Sequence, residues 1–257
     1  MTDILLLKLL LTPLFVAALT LIGRRWGPAV SGAVAGLPLT SGPVSVFLAV
    51  EQGTTFATHA AVGTLAGLIA VGAFCLAYSF AASRRKWIAS AIVGSAAFFV
   101  LASLLLLTPL GLTSTFIVVV LFLIAALQMM PKPIGGTSVV ALTQPKWDLP
   151  LRTVIATGLV FLLTAVAPKL GPQMTGLASP FPVFGGVLAV FAHRQLGALD
   201  AQRVLRSVVR ASFSFAVFFL IAGAMLVRYG CAVTYSIAAI AALSANAILF
   251  MRLRRKS

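Results

Sequence analysis

Apolar residues along this chain run in long blocks separated by short polar punctuation, with no sustained two-residue alternation between the blocks. A helix that crosses a bilayer needs about 20 predominantly apolar residues. The pattern predicts nine such helices, over 4–22, 29–50, 57–81, 88–107, 113–130, 151–167, 174–192, 204–226 and 232–251. Turn residues mark the joints: Gly27-Pro28, Glu51-Gln52-Gly53, Ser83-Arg84-Arg85-Lys86 and Thr108-Pro109-Leu110-Gly111. A longer connection rich in Pro and Gly occupies 131–150. The expected fold class is all-α, a polytopic membrane protein.

Two of the nine segments are interrupted. The second carries Gly36-Leu37-Pro38-Leu39-Thr40-Ser41-Gly42-Pro43, and the seventh carries Pro180-Phe181-Pro182-Val183-Phe184-Gly185-Gly186. Proline removes a backbone donor and clashes one turn back, and glycine tolerates irregular dihedrals, so both strings predict a broken helix. Ser41 is the expected cap of a new half-helix whose first turn holds Pro43.

The interruptions are related. A shift of 144 positions lays Gly27-Pro28, Gly32, Pro38, Gly42, Val46-Phe47 and Gly53 on Gly171-Pro172, Gly176, Pro182, Gly186, Val190-Phe191 and Gly197 without a gap. Shared apolar composition does not align Gly and Pro in this way, so the chain reads as an internal duplication. It divides into a first repeat, 1–107, a connecting helix and loop, 108–150, and a second repeat, 151–257. The shift spans five helices, an odd number, so the two repeats are expected to be inverted in the membrane.

Composition agrees with a lipid environment. The chain is 61% hydrophobic and 9% charged, whereas soluble domains are about 25% charged. Its net charge of +15 comes from 19 Lys and Arg against four acids, Asp3, Glu51, Asp148 and Asp200. Most of the basic residues lie between apolar blocks, as orientation signals and anionic headgroups require, which argues against nucleic acid as a partner. With the N-terminus outside, the inside connections hold Arg24/Arg25, Arg84/Arg85/Lys86, Lys132/Lys146/Arg152, Arg194/Arg203/Arg206 and the basic tail. The outside connections hold Lys169 and Arg228. The expectation is a multi-pass protein with its C-terminus in the cytoplasm and anionic lipid as its partner there. Because Arg24 and Arg25 follow the first apolar block, that block is expected to be a retained helix rather than a signal peptide.

The string 176–184, Gly-Leu-Ala-Ser-Pro-Phe-Pro-Val-Phe, with its run on to Gly197, resembles the GlpM-type small inner-membrane proteins of bacteria, which are single units of about four helices. The first half, through Leu37-Pro38-Leu39-Thr40-Ser41-Gly42-Pro43 and Glu51-Gln52-Gly53, resembles the same type more loosely, and the whole chain is similar to uncharacterised bacterial multi-pass proteins that share this string. The resemblance implies a bacterial inner-membrane location and an association with the cell envelope. It implies no established activity.

The chemistry on offer is narrow. No GxSxG, HExxH, P-loop or nucleotide-binding glycine string is present, and Cys75 and Cys231 stand apart from any His or Cys cluster. The expectation is therefore no enzyme, no metal and no cofactor. Irregular backbone at membrane depth must be buried in protein or line a wet cavity. Paired breaks in inverted repeats are a recurrent design of transporter sites, with helix N-termini aimed at an anionic group. The candidate substrate-binding residues are Pro38, Leu39, Thr40, Ser41, Gly42, Pro43, Phe181, Pro182, Phe184, Gly185 and Gly186. Glu51, His59 and Arg194 are candidates for gating or coupling. The reading is a secondary transporter or facilitator for a small anion or anionic metabolite, working by alternating access. The alternative is a non-transporting scaffold or accessory subunit of an envelope-polymer or lipid system, in which the Gly/Pro motifs serve tight packing. A homo-oligomer is left open.

Overall fold

The computed structural model describes residues 13–14, 38, 40–108, 110–132 and 148–254, with the side chains of 148–149, 151–152, 155–156, 183–184 and 250–254 excepted. The described chain is helical, with no strand among the described residues. Its elements are α1 (Ser41–Glu51), α2 (Thr54–Ala82), α3 (Trp87–Leu106), α4 (Leu112–Met129), α5 (Asp148–Ala178), α6 (Val183–Leu196) and α7 (Ala198–Arg254). Four described stretches are long and apolar enough to cross a membrane: α2, α3, α4 and 198–249 of α7.

The third, fourth and fifth apolar blocks become α2, α3 and α4 within a few residues. The second block appears as its C-terminal half, α1; the first block, residues 13–14 apart, and residues 29–37 lie outside the described residues. The sixth and seventh blocks meet at Gly171, a kink whose φ of 76° and ψ of 169° divide α5 into two helices, 148–170 and 172–178. The interruption at 179–182 then separates the second of these from α6. In α7 a second kink at Gly230, with φ 71° and ψ 179°, folds the chain back on itself. Phe218 and Tyr235 stack across that hairpin with centroids 6.1 Å apart. In a straight helix 17 residues would separate them by about 25 Å.

The eighth segment starts at Ala198, six residues before its apolar block. Its polar first turns are held locally: Arg203 pairs with Asp200 at 2.7 Å, and Gln202 is buried. The Gln202 Nε2 donates to the Ser79 carbonyl at 3.0 Å and to Ser83 Oγ at 2.9 Å. The first turns of α7 therefore lie beside the last turns of α2, and the two helices run antiparallel.

Helix α2 is the central element, with 72% of its most apolar stretch buried against 22% in α3 and α4. The main core joins α2 through Leu65, Leu68, Phe74 and Tyr78 to α3, α4, α6 and α7. A smaller cluster packs Val44, Phe47 and Leu48 of α1 against Val160, Leu163 and Ala167 of α5. On the outer faces of α3 and α4, Ile92, Phe99, Val100 and Leu121 are exposed, as expected for helices whose solvent is lipid. Arg206 of α7 donates from Nη1 to the Leu127 and Met130 carbonyls, both at 3.0 Å, and so closes the C-terminus of α4.

Backbone features recur at the 144-residue spacing. Gly53 and Gly197 both precede a helix with left-handed, extended dihedrals, φ 90° and ψ 162° in one and φ 98° and ψ −177° in the other. The helices they introduce begin at Thr54 and Ala198. The Gly42 amide donates to the Pro38 carbonyl at 2.8 Å, and the Gly186 amide to the Pro182 carbonyl at 2.7 Å.

Candidate functional site

The first break sits where its helix length puts it. From Ser41 to Glu51 α1 has 11 residues, a rise of about 16 Å, which is half of a hydrocarbon core about 30 Å thick. Thr64 lies ten residues inside α2, about 15 Å from its start. The two positions therefore share a depth, and the second break is brought to them.

Ser41 Oγ donates to the carbonyl of Ser179 at 3.0 Å. That carbonyl belongs to the turn between α5 and α6, so the first break holds the second directly. Thr64 Oγ1 lies 2.9 Å from the Ala60 carbonyl, 3.1 Å from the Gly176 carbonyl and 3.2 Å from Ser179 Oγ. Ser179 Oγ in turn lies 2.9 Å from the Gly176 carbonyl. Ser41, Thr64 and Ser179 are 1%, 3% and 1% exposed. A second hydroxyl pair, Ser45 Oγ and Tyr235 OH at 2.7 Å, joins α1 to the far limb of α7.

Glycine makes this approach feasible. Gly63 and Gly67 face residues 173–180, and Gly176 faces α2. A Cβ at Gly67 would stand 2.7 Å from the Leu177 carbonyl, and one at Gly176 or Gly63 would overlap the Ala60 or Gln173 carbonyl. The small-xxx-small spacing of Gly63 and Gly67 lets the backbones cross at a distance that a side chain forbids.

The expected site residues divide into two groups. Thr40, Ser41, Gly42 and Pro43 are buried at the start of α1, and Pro38 caps the Gly42 amide. The helix begins at Ser41 with Thr40 in the cap position and no side-chain cap. This corrects the expectation that Ser41 caps the half-helix: its hydroxyl goes to Ser179 instead. Leu39 and the side chain of Phe184 lie outside the described residues. The remainder of the second break packs elsewhere. Phe181 meets Phe98 edge-on at 5.0 Å and Phe99 in a stack at 5.5 Å. A Cβ at Gly185 would meet Val208, and one at Gly186 would meet Phe74. Pro182 is buried.

Of the candidates for gating, Glu51 is half-buried at the far end of α1, ten residues from Ser41, and His59 and Arg194 are exposed. Arg194 and His193 occupy the last turn of α6, where cations suit the helix dipole. No cluster of three or more His, Cys, Asp or Glu occurs among the described residues.

Donor accounting also bears on an anion. The Gly42 amide is bonded to Pro38 and the Val44 amide to Thr40 at 3.1 Å, and Pro43 has none. The start of α1 therefore offers its dipole more than its amides. The sequence alone does not mark Thr64, Gly176 and Ser179 as groups that meet. Their repeat mates are Val208, Gly32 and Ala35, so the duplication draws attention to Gly176 alone. The pairing of Gly63-Thr64 with Gly176 and Ser179 as small and hydroxyl residues was the one usable signal.

Comparison with protein families, with curated proteins and with solved structures finds no match to this chain.

Proposed function

We propose that this protein is a secondary transporter or facilitator of the bacterial inner membrane, built as an inverted duplication of nine membrane helices, with its substrate site where the two breaks meet. The observation that carries the reading is the bond from Ser41 to the Ser179 carbonyl, which joins the start of one half-helix to the turn before the other. Interrupted helices meeting at mid-depth are the transporter arrangement in which irregular backbone serves a ligand.

Three features support the inversion. Helix starts at Thr54 and Ala198 share the 144-residue spacing, the glycines before them share dihedrals, and the mated helices α2 and 198–229 run antiparallel through Gln202 and Ser79. The GlpM-type resemblance of each half supports the bacterial inner-membrane assignment, and the basic inside connections support an N-out, C-in orientation. A small anion or anionic metabolite is the substrate class, drawn by the α1 and α6 dipoles in a region where no acid side chain stands among the described residues. Alternating access then consists of one repeat rocking against the other across the contact between the breaks.

The test is uptake of acetate, lactate, succinate and phosphate into proteoliposomes of the purified full chain. Saturable uptake of one of them, abolished by Ser41→Asp, is the expected result. No uptake of any by protein that is folded and monodisperse transfers the lead to the second reading. That reading, a non-transporting scaffold or accessory subunit of an envelope-polymer or lipid system, is favoured by one specific observation: the backbone contact at Gly63, Gly67 and Gly176 is as close as a permanent packing seam.

A further inference from the structure

We propose that the junction of the two breaks is a sodium-ion site formed by Thr64 Oγ1, Ser179 Oγ and the Gly176 carbonyl. The inference deepens the transport reading and rests on it for the ion's role in coupling; the binding itself does not depend on that reading.

The first ground is a shortage of protons. Five oxygen–oxygen contacts of 2.9–3.2 Å tie Ser41, Ala60, Thr64, Gly176 and Ser179 together. Each hydroxyl supplies one proton, so three protons serve five contacts. The Ser41 proton goes to the Ser179 carbonyl. Thr64 and Ser179 are left with two protons for four contacts, and the Gly176 carbonyl also takes the Ser179 amide at 3.1 Å. Each of the two protons is then shared between two acceptors, and the lone pairs that such bifurcated bonds serve only in part repel one another more strongly for being buried. A cation among the oxygens would answer those lone pairs.

The second ground is shape. Thr64 Oγ1, Ser179 Oγ and the Gly176 carbonyl form a triangle with sides of 3.2, 2.9 and 3.1 Å. Hard cations take oxygen ligands, and calcium takes them at about 2.3–2.6 Å. Sodium has nearly the same radius, so neighbouring oxygens in an octahedral shell around it stand about 3.3–3.7 Å apart. The triangle is one face of such a shell, short by a few tenths of an ångström. Potassium needs wider spacing and would have to force the seam between α2 and 172–178 apart. The glycines that bring the backbones together leave no slack for that.

The third ground is charge. Every ligand is neutral, and Glu51, Asp148 and Asp200 lie at helix ends away from the triangle. A divalent ion would stand uncompensated at a depth where charge is costly. A monovalent ion is balanced by one anionic solute, which assigns sodium and substrate to the same site and makes their binding interdependent.

The experiment is equilibrium binding of radioactive sodium to the purified full chain in choline chloride, beside thermal unfolding in sodium, potassium and choline chloride. Saturable binding displaced by unlabelled sodium and not by potassium is expected, with a melting temperature raised by sodium alone. Thr64→Val and Ser179→Ala should each weaken binding tenfold or more. Thr64→Ser, which restores the oxygen, should recover it, and Ser212→Ala, on α7, should bind as the parent does. No saturable binding by monodisperse protein overturns the proposal, as does unchanged affinity in both Thr64→Val and Ser179→Ala. If one of these variants fails to fold, the other decides with Thr64→Ser. Sodium binding without uptake of any of the four solutes would count against the transport reading and leave the ion site standing. Uptake that is indifferent to sodium, in protein that binds none, would do the reverse.

Discussion

Gly176 stands against the Ala60 carbonyl so closely that a methyl group has nowhere to go. The obstacle is backbone on both sides, which cannot rotate away as a side chain could. Gly176→Ala should therefore destabilise the protein by about 1–3 kcal/mol, the usual cost of overpacking, seen as a lowered melting temperature of the purified protein in detergent. Gly158 is also helical but has open space where its Cβ would be, and Gly158→Ala should leave the melting temperature near that of the parent. At this scale the sequence is only partly readable. Pro38, Gly42, Pro182 and Gly186 announce themselves through the repeat, and the structure pairs the Pro38–Gly42 and Pro182–Gly186 bonds. Thr64 and Ser179 do not, because their meeting is a tertiary contact between positions 115 apart, and Thr64 has an apolar mate. Ser41 stands out in the sequence but its role does not, since a hydroxyl beside a helix start can serve its own backbone or reach across to another helix, as it does here.

The same limit governs whole elements. Apolar blocks locate α2, α3 and α4 because lipid-facing and core-facing positions are both apolar, so block length alone sets the helix. Where polar residues are absorbed by partners the block misleads. Helix α7 begins six residues early because Gln202 finds Ser79 and Ser83, and Arg203 finds Asp200. Glycine breaks were visible as composition, but the left-handed dihedrals at Gly171 and Gly230 decide where a long helix turns back. The end of α4 depends on another element altogether. Arg206 supplies charged donors to the Leu127 and Met130 carbonyls, and hydrogen bonds from charged groups contribute about 1.5–3 kcal/mol. Arg206→Met keeps the bulk and removes the donors. It should lower stability by an amount in that range and speed amide hydrogen exchange over the turns next to Met130, with little change in the first turn of α4. Uniform exchange along α4 in that variant would mean that the cap is not local.

Across the whole molecule, the proposed arrangement is two inverted repeats with their breaks facing each other and a cytoplasmic rim of arginines, a reading supported by the duplication and the charge pattern. Glu51, His59 and Arg194 remain proposals as gating groups. They lie toward helix ends while the hydroxyl junction lies deep, so any influence they have on it must pass along α1, α2 or α6. The central claim is that the junction opens to water on each side in turn. A single cysteine at Thr40, in a chain with Cys75 and Cys231 replaced, tests it most directly, read with membrane-impermeant thiol reagents added to right-side-out and to inverted vesicles. Gln52→Cys and Arg85→Cys provide the interface controls, labelling from outside only and from inside only. The account predicts that the cysteine at Thr40, 9% exposed in the structure described here, labels from both sides. Labelling from neither side, while both controls react, would contradict it and leave a packed seam in place of a transport site.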